Sequence, residues 1–318
     1  MSVARLERHQ IVIYLGALVT GAAVGLTVPA AAPWAELGIY PFLAALLYAT
    51  FLQVPFTAIA RALRDLRFLS ATLVLNFVLV PAVVAALTLW LPLSRAVLLG
   101  VLLTLLTPCI DYVIVFTGLA GGAAPRLVAA SPLLMLIQII ALPLLLFAFL
   151  GPGLVDIVEV GPFLEAFLVL IVGPLLLAGL TEIVAARHRA GRQVTAAMHA
   201  AMVPLMALTL FVVVASQIPA VGDQLGQIAA VIPIYAAFLL VMAGVGLATA
   251  RVFRLDPPTG RALIFSGATR NSLVVLPLAL ALPAPYAITA AVVVTQTLVE
   301  LLGMVIYVRA VPRLLPQR

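Results

Sequence analysis

Ten apolar stretches, each about twenty residues long, run through the chain at about 10–29, 39–59, 69–90, 95–118, 127–149, 163–183, 195–217, 227–250, 260–282 and 286–308. A helix of about 20 apolar residues crosses the hydrocarbon core of a bilayer. Lipid offers no partner to open backbone groups, so runs of this kind must be helices. The breakers fall at the junctions: Pro29 and Pro33, Pro92, Gly151-Pro152-Gly153, Pro219, Pro257-Pro258, and Pro283 with Pro285. The reading is an all-α polytopic membrane protein with ten transmembrane helices. Of 318 residues, 65% are hydrophobic and 9% charged, against about 25% charged in a soluble domain. That excludes a water-soluble enzyme, a nucleic-acid-binding domain and a disordered chain.

The net charge of +6 is topology. All 17 basic residues are Arg. Arg5, Arg8, Arg61, Arg64, Arg67, Arg126, Arg187, Arg189, Arg192, Arg251, Arg254, Arg261, Arg309, Arg313 and Arg318 fall on one side of the expected membrane. The opposite loops hold Arg95 with Glu36, Asp156, Glu159 and Asp223. The positive-inside rule then puts both termini in the cytoplasm of a cell (inner) membrane protein. Met1 to Gln10 is short and charged and reads as the lead-in to the first span, not as a secretory signal. One Cys excludes an internal disulfide and a multi-cysteine metal cage, and no two of the three His have zinc-ligand spacing. No Walker or Gly-rich phosphate motif is present, so no cofactor is expected and transport must draw on a gradient.

The two halves echo one another. Pro41-Phe42-Leu43-Ala44 and Gln53-Val54-Pro55 match Pro204-Leu205-Met206-Ala207 and Gln217-Ile218-Pro219. Thr107-Pro108 in span 4 matches the region of Gly267 in span 9, and Gln138 matches Gln296. The expected division is 1–150, spans 1 to 5, and 151–318, spans 6 to 10. Five spans per copy is odd, so the second copy is inverted, an arrangement common in secondary transporters.

Ionisable groups in lipid are costly and point to function. Asp111 in span 4, Arg270 in span 9 and Glu300 in span 10 qualify. Asp111 lies in Thr107-Pro108-Cys109-Ile110-Asp111-Tyr112, where Pro108 disfavours continued helix. Arg270 lies in Gly267-Ala268-Thr269-Arg270-Asn271-Ser272, small and polar where a span should be apolar. Breaks are expected at Pro108 and Gly267, with the two broken helices crossing and offering their half-helix ends to a substrate. Each residue has a plainer reading. A lone membrane Cys is a small apolar filler, an Asp–Arg pair clamps crossing helices, and Glu300 bonds Gln296 one turn back. Asn76 with Pro81 reads as packing and a kink.

These residues carry a resemblance to the bile acid/arsenite/riboflavin transporter superfamily. It covers nearly the whole chain and is most specific at Pro108-Cys109-Ile110, Thr117-Gly118-Leu119-Ala120 and Arg270-Asn271-Ser272. The resemblance implies two inverted five-helix repeats, panel and core domains, and broken, crossing helices 4 and 9. Within the superfamily, Cys109-Ile110 and Gly267-Ala268-Thr269 are similar to the arsenite-efflux branch of Acr-type permeases. There the cysteine is taken as essential, and a Glu follows in span 9 where this chain has Leu273, Val274 and Val275. The sodium/bile acid branch places sodium ligands at positions that here hold Val113, Ile114, Ser266 and Arg270-Asn271.

The leading expectation is therefore proton-coupled efflux of arsenite or antimonite, a divergent form of that branch. Cys109 would be a transient ligand for the soft trivalent arsenic. Thr107, Asp111, Arg270, Asn271 and Ser272 would line the substrate site, and Asp111, ahead of Glu300, would carry the proton. The alternative is an organic anion, moved without sodium, with Arg270 as its counter-charge. The expected partners are that small solute, the proton gradient and membrane lipid, with no nucleic acid, the protein acting as a monomer or homodimer.

Overall fold

A computed structural model describes residues 3–53, 64–110, 112–151, 168–221 and 225–316. The described residues form helices α1 (Val3–Thr27), α2 (Ala32–Leu52), α3 (Leu66–Thr88), α4 (Arg95–Leu105), α5 (Tyr112–Leu119) and α6 (Ala124–Leu150). They continue as α7 (Gly173–Arg187), α8 (Arg189–Val221), α9 (Leu225–Val252), α10 (Pro257–Ala268), α11 (Ser272–Leu280) and α12 (Ile288–Leu314). Among the described residues, six helical stretches are long and apolar enough to cross a membrane: Pro29–Leu52, Leu66–Thr88, Ala124–Leu150, Arg189–Pro219, Gly226–Val252 and Ala284–Leu314. The expected runs 95–118 and 260–282 are not single helices. Each is two short ones, α4 with α5 and α10 with α11.

The interruptions follow from local chemistry. Ser94 starts α4 by accepting from the Val97 amide, and Asp256 starts α10 by accepting from the Thr259 amide, with Pro257 and Pro258 at the first helical positions. Helix α4 stops at Leu105, three residues before Pro108, whose ring and missing N–H bar continuation. Asn271 starts α11 by accepting from the Val274 amide. The break in span 9 therefore lies at 269–271 and not at Gly267, which sits inside α10. Gly267 serves close packing instead, because a Cβ there would lie 2.6 Å from Leu75 Cδ2. In α3 a π turn at Leu75–Leu79 precedes Pro81, which has no N–H to continue the α ladder.

Helices α1, α2, α7 and α8 pack on one another, while α3, α4, α9, α10, α11 and α12 form a second group with α5 and α6 against it. The groups touch through α8 and α12, α2 and α11, and α1 and α12. Residues 162 apart have the same local geometry. Ser94 and Asp256 both cap helices. The Thr107 hydroxyl donates to the Leu103 carbonyl at 2.8 Å, and the Thr269 hydroxyl to the Phe265 carbonyl at 2.7 Å.

Candidate functional site

The two interrupted helices meet backbone to backbone. Pro108 and Arg270 form an antiparallel bridge. The Cys109 amide donates to the Thr269 carbonyl at 3.3 Å, and the Asn271 amide donates to the Thr107 carbonyl at 2.9 Å. Each bond is the other's counterpart under the 162-residue shift. Breaking a helix in an apolar interior frees backbone groups that cost several kcal/mol if left alone, of the order of 2–7 each; here each break satisfies part of the other.

Arg270 is fully buried and holds the ends of the half-helices together. Its Nη2 donates to the Ser266 carbonyl at 2.6 Å, the Gly267 carbonyl at 2.8 Å and Asn76 Oδ1 at 2.8 Å; its Nη1 reaches the Leu105 carbonyl at 3.4 Å. These carbonyls close α10 and α4, where helix dipoles place negative charge, so the guanidinium complements both ends. The Phe238 ring lies 5.7 Å from the guanidinium carbon and adds a cation–π contact. Asn76 is held by donating to the Thr72 carbonyl and to Ser266 Oγ, both at 3.0 Å. Among the described residues, Arg270 Nε and Asn271 Nδ2 make no hydrogen bond.

Glu300, also buried, sits on the other side of the Arg270 backbone. Its Oε2 accepts from the Arg270 amide at 2.8 Å and from the Gln296 side chain, and its Oε1 accepts from the Tyr112 hydroxyl at 2.5 Å. The Tyr112 hydroxyl also lies 3.0 Å from the Arg270 carbonyl. Gln296 Oε1 accepts from Ser272 Oγ at 3.0 Å, and Ser272 pairs with the Thr297 hydroxyl at 2.7 Å. Glu300 and Arg270 thus belong to one network, joined through the Arg270 amide rather than its guanidinium. The residue 162 before Glu300 is Gln138, whose Oε1 is buried without a partner among the described residues. The residue 162 before Arg270 is Pro108, which has no amide hydrogen to give.

Two cavities lie between the two groups of helices, one of them reaching Tyr112 beside the crossing. One of about 490 Å³ is lined by Gln10, Tyr14, Gln53, Tyr112, Ile114, Gly118, His199, Met202 and Met206 among others. The other, about 210 Å³, is lined by Glu36, Ser216, Gln217, Leu280, Leu282 and Ile288 among others. Gly118 and Leu280, at matched places in the two, are 162 residues apart. His199 also borders a neighbouring pocket, which Arg192 lines.

A polar latch holds the loops at one end. Arg126 pairs with Asp65 at 2.9 Å and lies 3.9 Å from Asp256. Burial pushes the Asp256 carboxyl upward, but the Thr259 hydroxyl and amide and the Arg126 charge outweigh it and hold it below its ordinary value. Arg261 donates to the Ala120, Gly121 and Leu315 carbonyls and so ties α5 and α12 to α10.

The structure thus brings Thr107, Pro108, Cys109, Arg270 and Asn271 to the crossing, with Ser272 and Glu300 beside it. Asp111 lies outside the described residues. Cys109 is buried, with its backbone in the bridge, and is not among the residues lining either cavity. Sequence reasoning missed Tyr112, and it assigned Asn76 to packing although its amide oxygen holds Arg270. Asn76 carried a usable signal, an amide shortly before a proline, Pro81, inside an apolar span; a tyrosine among aromatics and aliphatics carried none.

The model of the SBF-like CPA transporter family matches residues 15–306. No curated protein matches the chain.

Proposed function

Because the chain belongs to the SBF-like CPA transporter family, we propose that it is a secondary active transporter that moves an organic anion across the cell membrane, coupled to protons and without sodium. The observation that carries the substrate class is the cavity of about 490 Å³ beside the crossing. Its size falls in the range of about 300–1,000 Å³ used for organic ligands. Its lining combines Met202, Met206, Val203 and Ile114 with Gln10, Gln53, Tyr14 and His199. That mixture suits a solute with an apolar body and an anionic head, with His199 and nearby Arg192 as the basic groups. Arg270 is the weaker counter-charge, since its guanidinium is committed to Asn76 and helix-end carbonyls.

The architecture proposed is ten spans in two inverted repeats, 1–150 and 151–318, with α1, α2, α7 and α8 as the panel and the remaining helices as the core. The 162-residue correspondence at the crossing supports it. The unequal volumes of the two cavities fit a state open toward the arginine-rich side, proposed to be cytoplasmic. Sodium independence follows from charge. A hard cation needs oxygen ligands and negative charge, whereas the positions at which sodium-coupled relatives are expected to bind it hold Val113 and Ile114, without side-chain oxygens, and the Arg270 guanidinium beside Ser266 and Asn271, which bring oxygens but no negative charge. Glu300 is the proposed proton carrier, with Asp111, next in sequence to Tyr112, the other candidate carboxylate.

Arsenite efflux is the second reading, favoured by the position of Cys109 at the crossing. Flux into proteoliposomes under an imposed pH gradient separates the two. A panel of apolar carboxylates and sulfonates is expected to include a transported solute, at a rate unchanged when sodium is replaced by choline. Steep sodium dependence overturns the coupling, and transport of arsenite alone overturns the substrate class.

A further inference from the structure

The Glu300 carboxylate is 1% exposed and is not among the residues lining the cavity. A proton carrier in that position needs a path to water. Three groups donate to it: the Arg270 backbone amide, the Gln296 side-chain amide and the Tyr112 hydroxyl. Amides hold their protons. A phenol can give one and take one back. Tyr112 is also the one of the three that lines the 490 Å³ cavity.

From this juxtaposition we infer that Tyr112 is the proton relay between the cavity and Glu300, an inference that rests on Glu300 being the carrier. On protonation, the Tyr112 O–H bond breaks as the Glu300 Oε1–H bond forms. A hydronium or water in the cavity gives its proton to the Tyr112 oxygen, so the tyrosine ends unchanged and Glu300 ends neutral. The second acceptor of Tyr112 fits this step. A hydroxyl has one hydrogen, and two acceptors stand within reach, Glu300 Oε1 at 2.5 Å and the Arg270 carbonyl at 3.0 Å. While Glu300 is ionised the hydrogen points to it. Once Glu300 is protonated its own hydrogen points to the Tyr112 oxygen, and the tyrosine hydrogen turns to the Arg270 carbonyl. The Phe116 ring, edge-on at 6.1 Å between centroids, holds the phenol for both positions. Because Arg270 is also the residue bridged to Pro108, the turn reports the protonation state of Glu300 to the helix crossing.

Among the described residues, the other ionisable side chains near Glu300 bond other partners or lie across the cavity. Tyr307, on α12 itself, donates to the Leu239 carbonyl, and Tyr235 of α9 donates to the Val292 carbonyl. Arg261 of α10 holds the Ala120, Gly121 and Leu315 carbonyls. The Arg270 guanidinium holds Asn76 and helix ends. His199 of α8 and Tyr14 of α1 lie across the cavity lining.

Infrared spectroscopy of the lipid-reconstituted protein tests the relay without a known substrate. The carboxylic C=O band that disappears in Glu300→Gln is assigned to Glu300, and its shift after mixing with D2O gives the exchange rate. Tyr112→Phe keeps the ring and loses the transferable proton. It is expected to retain the band and slow its exchange about 100-fold, the scale of a positioned acid–base group. A more acidic fluorotyrosine at position 112 is expected to speed it. If Tyr112→Phe exchanges as fast as or faster than the unmodified protein, or fluorotyrosine changes nothing, Tyr112 only packs against Glu300 and the relay is wrong. If Glu300→Gln leaves every carboxyl band in place, Glu300 takes up no proton and the coupling reading itself fails.

Discussion

Removing the guanidinium at Arg270 separates a structural cation from a substrate ligand. Arg270→Met keeps an unbranched stem, shorter than the arginine, and removes the charge. Three hydrogen bonds of 2.6–2.8 Å, to Ser266, Gly267 and Asn76, are lost, with a fourth contact at 3.4 Å to Leu105. Bonds to a charged group contribute about 1.5–3 kcal/mol each, so three would sum to about 5–9 kcal/mol if independent. Part of that returns, because the buried charge no longer has to be desolvated, and removing one partner from a buried charged set costs about 3–5 kcal/mol net. Glu300 keeps its backbone donor, since the Arg270 amide survives the substitution. For a chain of this length about 2 °C of melting temperature goes with each kcal/mol, so Arg270→Met is expected to melt about 6–10 °C lower. Arg270→Gln, with one amide group to share among the same carbonyls, should fall about half as far. The assay is thermal unfolding of the detergent-purified protein, completed as a cycle with Asn76→Leu. The double variant should melt about 2–4 °C above the sum of the single losses, which is the coupling expected of a shared bond. Arg270→Met melting within 2 °C of the parent, or strictly additive losses, would refute the clamp and return Arg270 to the substrate site.

Three further outcomes follow from the geometry. Cys109→Ser is expected to leave protein abundance and organic-anion flux unchanged; loss of arsenite export from cells carrying this variant would instead establish the thiol as a ligand. Gly100→Ala is expected to destabilise by about 1–3 kcal/mol through overpacking, because its Cβ would lie 2.7 Å from Val292 Cγ1 and 3.0 Å from the Thr289 carbonyl; unchanged melting would show that α4 and α12 can part. Asp256 contributes through a carboxyl held below its usual value, so its contribution is complete well above about pH 4, where the unfolded aspartate ionises, and fades as pH falls through the lower folded value; Asp256→Ala should lose about 1 kcal/mol of cap at pH 7, and a difference in melting between variant and parent that changes between about pH 5 and 7 would contradict the assignment.

Much of the membrane architecture was legible because lipid imposes it. Apolar length gave the long helices, and Pro108 gave the end of α4. The small polar stretch around Arg270 gave the second break, although its position shifted from Gly267 to 269–271. That shift has a physical cause. A glycine inside a helix serves close approach as readily as a break, and only the packing of Leu75 against α10 decides between them. The partners of Arg270 were not legible, because three of them are backbone carbonyls, which the sequence does not distinguish from any others. Asp111, the partner expected from the sequence, lies outside the described residues. The repeat offset, read as 158–164 from side-chain matches in apolar sequence, narrows to 162 at the crossing, where paired backbone bonds allow only one register.

That register makes the two halves chemically unequal where they meet. On the repeat reading, Pro108 and Arg270 are counterparts, and so are Gln138 and Glu300. The Arg270 amide donates to the Glu300 carboxylate; Pro108 has no hydrogen to give, and its half carries an uncharged amide instead of a carboxylate. A buried carboxylate is tolerable only where donors surround it, and Glu300 has them, Arg270 and Gln296 from its own half and Tyr112 from the other. The same arginine places its charge on helix-end carbonyls of both halves. One residue thus secures the crossing through its side chain and holds Glu300, the proposed proton carrier, through its backbone. A cation bound from solution could perform the first task, but it would leave whenever its gradient failed; a covalently attached guanidinium cannot leave, and on the proton-coupled reading that leaves Glu300 as the group to exchange with the medium.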